Sequence, residues 1–187
     1  MPSQKQIIYW ELLAVRCQRG DAGAFRELVN IWERPLLYYI RRLLGAQDVE
    51  WDVLQEVWLR VFRGISSLRE PRTLPIWLYR ITRRAAMRHL REKYSDPAVE
   101  QSVCDLDAIE VDIDERLHLS GDDAEQVHRA LRQVPLPFRE VLTLHFLEEM
   151  SVQDVAQVIG IPAGTVKSRL YHAKRALRDI LQKMETP

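Results

Sequence analysis

The chain has 187 residues, 47% hydrophobic and 29% charged, which suits one mid-sized domain or two small ones and excludes wholesale disorder, collagen and low-complexity classes. With only seven Gly and nine Pro, the composition favours helices over a turn-rich β-sandwich. The net charge is zero, but the charges are unevenly distributed along the chain. Residues 1–94 contain 17 basic and 10 acidic residues, residues 95–125 contain 1 basic and 11 acidic residues, and residues 126–187 contain 9 basic and 6 acidic residues. This distribution predicts two basic domains joined by an acidic linker.

Residues 1–94 carry apolar side chains at helical spacing and predict a domain of four helices. Gly20 ends the first helix and Asp21 caps the second, which Pro35 kinks or divides. Asp48 is the expected cap of the third helix. A fourth begins near Pro75 and runs to about residue 94. The side chains that we expect to face inward on the third helix are Leu54, Val57, Trp58, Val61 and Phe62.

The acidic linker, residues 95–124, contains scattered apolar residues without a sustained helical period. Two interpretations remain open for it. It is either a solvated spacer or a segment that acts through its negative charge.

Residues 125–187 predict a smaller helical domain. Asp122 or Asp123 opens its first helix, and Pro135 and Pro137 separate that helix from the next. The segment 151–181 then has the form of a helix-turn-helix, with a capped short helix, Gly160 at the turn and a last helix from about 163 to 183. The predicted fold class is therefore all-α, with two small helical domains.

The last helix divides into two faces when it is projected at 100° per residue. Val166, Leu170, Ala173 and Leu177 share a narrow arc that must face the core. The opposite face is polar, aromatic and cationic, which fits the major groove of DNA better than an ordinary solvated helix surface. The candidate DNA contacts on this helix are Thr165, Lys167, Ser168, Arg169, Tyr171, His172 and Arg175.

The fourth helix carries five arginines that projection places on one side, Arg80, Arg83, Arg84, Arg88 and Arg91. Like charges so placed repel each other, so a polyanionic partner is expected. Trp77 and Tyr79 could stack on unpaired bases, beside a loop that contains Arg72. The combination suggests single-stranded DNA, while the competing interpretation is that Trp77 belongs to the core.

The third helix shows Leu59 among charged side chains on the face away from its apolar stripe. This pattern fits either a protein-docking face or an ordinary surface leucine.

Signatures of enzymes and metal sites are lacking in the sequence. It has no Gly-rich phosphate loop, GxSxG or HExxH motif. Its two cysteines, Cys17 and Cys104, lie far apart, so a disulfide framework or a zinc site has little support. No uncharged run approaches the roughly 20 residues of a membrane span, which predicts a cytoplasmic protein. We therefore expect no catalytic residue, cofactor or metal.

Four segments in their order and spacing resemble the extracytoplasmic-function (ECF) group of bacterial sigma-70 factors. They are GDAGAFRELVNIW, DVLQEVWLRVFRGI, PIWLYRITRRAAMRHLR and the stretch from SVQDVA to GTVKSRL. The resemblance covers nearly the whole chain except the linker. One departure concerns the fourth helix, where Arg84 and Arg88 stand in place of the Asn and Asp that members often carry.

The resemblance implies a sigma factor that binds core RNA polymerase and directs promoter recognition and transcription initiation. It implies that polymerase docks on the third helix, through Asp52, Gln55, Glu56 and Leu59. It also implies that the −10 element is recognised and melted by Arg72, Trp77, Arg80, Arg83, Arg84 and Arg88, and that the last helix reads the −35 element. An anti-sigma factor is a further partner expected from the resemblance. The alternative function is a stand-alone helix-turn-helix regulator whose first domain senses a ligand or dimerises.

Overall fold

The structure is a computed structural model that describes residues 3–45, 48–94 and 124–185, and every regular element in these ranges is helical. The predicted all-α class is confirmed. The predicted linker lies almost entirely outside the described residues. The helices are α1 Gln4–Gln18, α2 Ala22–Leu44, α3 Glu50–Gly64, α4 Leu74–Tyr94, α5 Ala124–Gln133, α6 Leu136–Leu142, α7 Val152–Ile159 and α8 Ala163–Glu185.

The boundary between α1 and α2 follows the predicted signals. Gly20 has a positive φ of 81°, a conformation that costs glycine little because it has no Cβ. The Asp21 carboxylate then accepts a hydrogen bond of 3.0 Å from the Ala24 backbone N–H. This bond satisfies one of the backbone donors that the start of a helix leaves free.

Three expectations for the first four helices need correction or refinement. Pro35 does not divide α2, which continues through it. Asp48 does not cap α3, because the cap position is Val49, which has no side-chain cap bond. Phe62 does not face inward, because its side chain is 66% exposed and its ring packs against that of Phe25, with the ring centres 5.2 Å apart.

The helices α5–α8 build the helix-turn-helix. Ser151 and Asp154 form a capping box at the start of α7. Gly160 ends α7 in the left-handed region at φ 82°, and α8 begins three residues later. Between α6 and α7 the chain makes a π-helical turn, Thr143–Leu147. The predicted helix-turn-helix is confirmed.

The first group of helices, α1–α4, packs directly against the second group, α5–α8. Helix α2 contacts α6, and α4 contacts α7. At this junction the buried Tyr39 hydroxyl donates to Glu140 at 2.9 Å, and the Arg83 guanidinium pairs with the same carboxylate at 2.8 Å. Nearby, the Tyr79 hydroxyl donates to Glu148. No described helix has the length and apolarity needed to cross a membrane.

Candidate nucleic-acid interface

Helix α8 buries one stripe and exposes the opposite side. Val166, Leu170, Ala173 and Leu177 are almost fully buried, as the projection predicts. Lys167, Tyr171 and Arg175 are exposed, while Thr165 and His172 are partly buried. Two cations and an aromatic hydroxyl therefore point away from the core on the second helix of a helix-turn-helix, the position from which such helices enter the major groove.

Ser168 and Arg169 are not on the open face, contrary to the prediction. Their exposed fractions are 0% and 2%, and both interact within the protein. The physical reason is that α6 also packs against α8, where the Phe138 ring stacks on His172 with centroids 6.4 Å apart. His172 lies three and four residues from Arg169 and Ser168, so it shares their side of the helix. A projection based on the apolar stripe alone does not account for this second packing partner.

Helix α4 presents fewer free guanidinium groups than its sequence indicates. Arg80 and Arg84 are exposed, and neither makes an ion pair with any residue that the structure describes. Arg83 is paired with Glu140, and Arg88 with Glu56 and Glu92. The prediction that all these arginines form one open cationic side is therefore wrong for Arg83 and Arg88, because carboxylates of neighbouring helices neutralise them.

Of the two remaining candidates for −10 contact, Trp77 lies in the first turn of α4 and Arg72 in the short 3-10 turn, Pro71–Thr73, that precedes it. Trp77 is partly buried against the core. Its indole packs over Gly64, where an added Cβ would come within 3.3 Å of the ring. Arg72 is exposed and pairs with Glu70 at 3.2 Å. Trp77 thus packs against the core while part of its side chain stays accessible, and its stacking on unpaired bases stays a prediction.

The candidate polymerase-docking stripe runs along α3. Asp52, Gln55 and Leu59 are exposed, and Leu59 reaches 51%. Glu56 is more constrained, because it pairs with Arg60 at 2.7 Å and with Arg88. Phe62 extends the stripe one turn beyond Leu59. The result is an acidic helix start that leads to two exposed apolar side chains, a pattern found in protein interfaces.

The buried polar network at the junction was missed by sequence reasoning. Burial raises the pKa of Tyr39 well above its ordinary value, and the Glu140 carboxylate adds to the rise. Burial opposes the charge of Arg83, but Glu140 outweighs it and raises the pKa of the guanidinium. The available signal was Glu140 itself, an acidic residue between Phe138 and Val141 on the apolar side of α6. A charge in that position requires a buried partner.

No cluster of three or more metal-ligating side chains occurs among the described residues.

Comparison with protein families finds two matches that follow the helical groups. The model for "Sigma-70 region 2" matches residues 28–95, and the model for "Sigma-70, region 4" matches residues 124–177.

Curated relatives match over most of their length. The RNA polymerase sigma-H factor of Pseudomonas aeruginosa is 33% identical over 178 residues, which cover 91% of this chain and 92% of the relative. The ECF RNA polymerase sigma-E factor of Escherichia coli K12 is 29% identical over 92% of this chain and 94% of the relative. SigW of Bacillus subtilis, also an ECF sigma factor, is 25% identical over 88% and 92%.

Two solved structures share the fold. One is CnrH in complex with the cytosolic domain of CnrY, with a TM-score of 0.68, 20% identity and coverage of 93% of this chain and 97% of that one. The other is the sigma factor RpoE of Bartonella quintana in complex with the anti-sigma factor NepR, with a TM-score of 0.64, 22% identity and coverage of 84% and 96%. Both support the arrangement of helices described above.

Proposed function

The chain belongs to the sigma-70 family, in its ECF group, and from this premise we propose how its surfaces divide the work of a sigma factor. As a sigma factor it binds core RNA polymerase and directs promoter recognition and transcription initiation. We assign core docking and −10 recognition to residues 1–94, the tether to residues 95–124 and −35 recognition to residues 125–187. The protein acts by binding, without catalysis of its own, in the cytoplasm where polymerase and promoters are found.

The docking stripe on α3 is the proposed contact with polymerase. Asp52, Gln55 and Leu59 are open to a partner, and Phe62 enlarges the apolar part. A few well-packed residues near the centre of a protein contact contribute most of its binding free energy, while the charges around them guide association. Glu56 contributes only after exchange of its present ion pairs with Arg60 and Arg88.

The exposed face of α8 is the proposed reader of the −35 element. Lys167 and Arg175 can meet phosphates or guanine edges, and Tyr171 and His172 can hydrogen-bond to base edges. Thr165 lies near the helix start, where free backbone N–H groups favour a phosphate. Ser168 and Arg169 are buried and interact within the protein, so we assign them to positioning of the helix.

Recognition of the −10 element is assigned to Arg80, Arg84 and Trp77 of α4 together with Arg72, which lies just before that helix. Arg80 and Arg84 already face solvent without an ion pair among the described residues. Arg83 would have to leave Glu140, and Arg88 would have to leave Glu56, before either could bind DNA. DNA contact by those two therefore requires a rearrangement at the junction or along α3.

The observation that carries the proposal is that one chain holds two separate open surfaces of different chemistry. The α3 stripe is acidic and apolar, which suits a protein, whereas the α8 face is cationic and polar, which suits DNA. A stand-alone regulator would need only the second. Two linked binding surfaces that engage together raise the effective affinity.

An anti-sigma factor is a proposed further partner. Bartonella quintana RpoE is in complex with the anti-sigma factor NepR, and CnrH with the cytosolic domain of CnrY. Because this chain shares their fold, we expect a protein of comparable role to bind it.

The test is a titration of promoter duplex with the purified chain, with and without core polymerase. We expect specific binding only when polymerase is present. Equally tight, sequence-specific binding by the chain alone would favour the stand-alone regulator. Capture of polymerase without any promoter binding would instead indicate a protein that only sequesters polymerase.

A further inference from the structure

A cationic cleft lies at the junction of the two helical groups, on the side of α2 and α5. Its volume is about 660 Å³, within the range of small-molecule sites. The first group supplies Arg41 and Arg42 from the end of α2, and the second supplies His128, Arg132 and Arg139. Neither the docking stripe on α3 nor the α8 face includes these residues.

Among the described residues, the arginines of this cleft outnumber its carboxylates. Arg41 pairs loosely with Glu50, at 3.9 Å. Arg42, Arg132 and Arg139 make no ion pair with a carboxylate of any described residue. Four guanidinium groups thus line a cleft whose described acidic residues are Asp48 and Glu50.

Two of these arginines are held in place by neutral partners. The Arg42 guanidinium donates to His128 Nδ1 at 2.6 Å and lies 4.6 Å from the centre of the Tyr38 ring. Arg139 donates to the backbone carbonyls of Arg132 and Leu43, at 3.1 and 3.5 Å. The Nε atoms of Arg42 and Arg139 are buried without a hydrogen-bond partner.

Such an arrangement costs free energy as long as no counter-charge is present. Burial lowers the pKa of Arg139, and the charge of Arg42 lowers it further. Burial also lowers the pKa of His128, as do Arg42 and Arg132. Like charges gathered in a partly buried place repel each other, and an anion would relieve this repulsion.

We propose that the cleft between α2, α5 and α6 binds a small phosphate-bearing molecule, of the class of pyrophosphate and nucleoside polyphosphates. Guanidinium groups bind phosphate oxygens in pairs of parallel hydrogen bonds, so several converging arginines suit a ligand with more than one phosphate. Tyr38 and the exposed Trp51 also line the cleft, where an aromatic ring can stack on a base.

The ligand would join the two helical groups. Arg41 and Arg42 belong to the first group, and Arg132, Arg139 and His128 to the second, so a single anion would be held by both. A ligand that binds only the packed arrangement stabilises it by an amount that grows with the logarithm of the ligand concentration above its Kd. The cleft is therefore a site through which a phosphorylated small molecule can bias how the groups are arranged.

The test is isothermal titration calorimetry of the full chain with inorganic pyrophosphate and, separately, with ATP, at constant ionic strength. We expect saturable one-to-one binding and a rise in Tm with either probe. Arg132→Gln, an exposed change at the cleft, should weaken binding at least tenfold. The matched control is Arg129→Gln, an exposed arginine on the same helix outside the cleft, which should change binding less than twofold.

The two probes identify the recognised chemistry. Equal affinities show that the phosphates alone are bound, and an ATP affinity more than tenfold higher, lost in Trp51→Ala, shows that a nucleotide is bound. Absence of saturable binding by both probes, or equal weakening in Arg129→Gln and Arg132→Gln, would overturn the proposal. Since neither polymerase nor DNA is present, the outcome is separate from that of the promoter titration.

Discussion

Glu148 shows how one side chain makes the packing of the two groups depend on pH. Burial raises its pKa above the ordinary 4.5, although the hydrogen bond from Tyr79 opposes the rise. The folded protein therefore binds this proton more tightly than the unfolded chain does. The resulting stabilisation is fully present below pH 4.5 and is lost as the pH rises through the folded-state pKa.

Glu148→Gln keeps an acceptor for Tyr79 and removes the titration. We expect the Tm of the variant at pH 7.5 to equal or exceed that of the wild type. As the pH falls to 5, the Tm of the wild type should rise relative to that of the variant. Thermal unfolding at both pH values measures this, with Glu11→Gln as the exposed control. The lowered pKa of His128 makes stability change with pH in the opposite direction. Because His128 is present in all three proteins, its effect cancels when their Tm values are compared. A constant difference between variant and wild type would refute the assignment.

Lys167 tests the DNA-reading face at the level of one side chain. Lys167→Ala should weaken binding of a −35 duplex by the polymerase-bound chain about tenfold, in line with roughly 1–3 kcal/mol for a good base contact. Lys183→Ala, which changes an exposed lysine near the far end of the same helix, should have little effect. Electrophoretic mobility shifts measure both. If the two variants bind equally well, Lys167 does not contact the element.

At the scale of helices, the periodicity of apolar residues predicted the buried stripes but not the contacts that a helix makes with a second neighbouring helix. Val166, Leu170, Ala173 and Leu177 are buried as expected, and Ser151 caps α7 as expected. These features depend on residues close in sequence. The exposure of Phe62 and the burial of Ser168 depend instead on which other helix packs alongside, and neither apolar spacing nor cap residues contain that information.

The docking stripe on α3 can be tested with a single substitution. Leu59→Asp places a charge in the centre of the proposed contact, so capture of core polymerase should fall at least a hundredfold, since burial of an unpaired charge is strongly unfavourable. Its helicity by circular dichroism should not change. Leu12→Asp is the matched control, because Leu12 is a leucine of similar exposure, 57%, on another helix. Undiminished capture by Leu59→Asp would place the contact elsewhere.

For the whole molecule, the sequence was sufficient for the fold class, the helix-turn-helix and the family, but not for how the two helical groups pack. Their junction depends on Tyr39, Arg83 and Glu140, which are 44 to 101 residues apart in the chain. These contacts turn Arg83, one of the predicted DNA-binding arginines, into an ion-pair partner, and Arg88 is paired in a similar way with Glu56 of α3. Long-range pairing of this kind is set by three-dimensional packing and leaves only a weak local signal, a charge among apolar residues.

Glu140→Ala tests the junction. Removing the carboxylate leaves Arg83 without its partner and Tyr39 without its acceptor, so the free energy of unfolding should fall by about 3 kcal/mol. Urea unfolding followed by circular dichroism measures it, and Asp179→Ala, an exposed change on α8, should alter it by less than about 0.5 kcal/mol. An unchanged midpoint for Glu140→Ala would mean that the contacts of Glu140 with Tyr39 and Arg83 contribute nothing to stability.

The most direct measurement of the central claim is run-off transcription with core polymerase and this chain on a library of genomic fragments. A sigma factor with these surfaces should produce transcripts from a limited set of start sites that share −10 and −35 elements, and only when the chain is added. Transcription that is identical with and without the chain, or start sites with no shared sequence, would contradict the account.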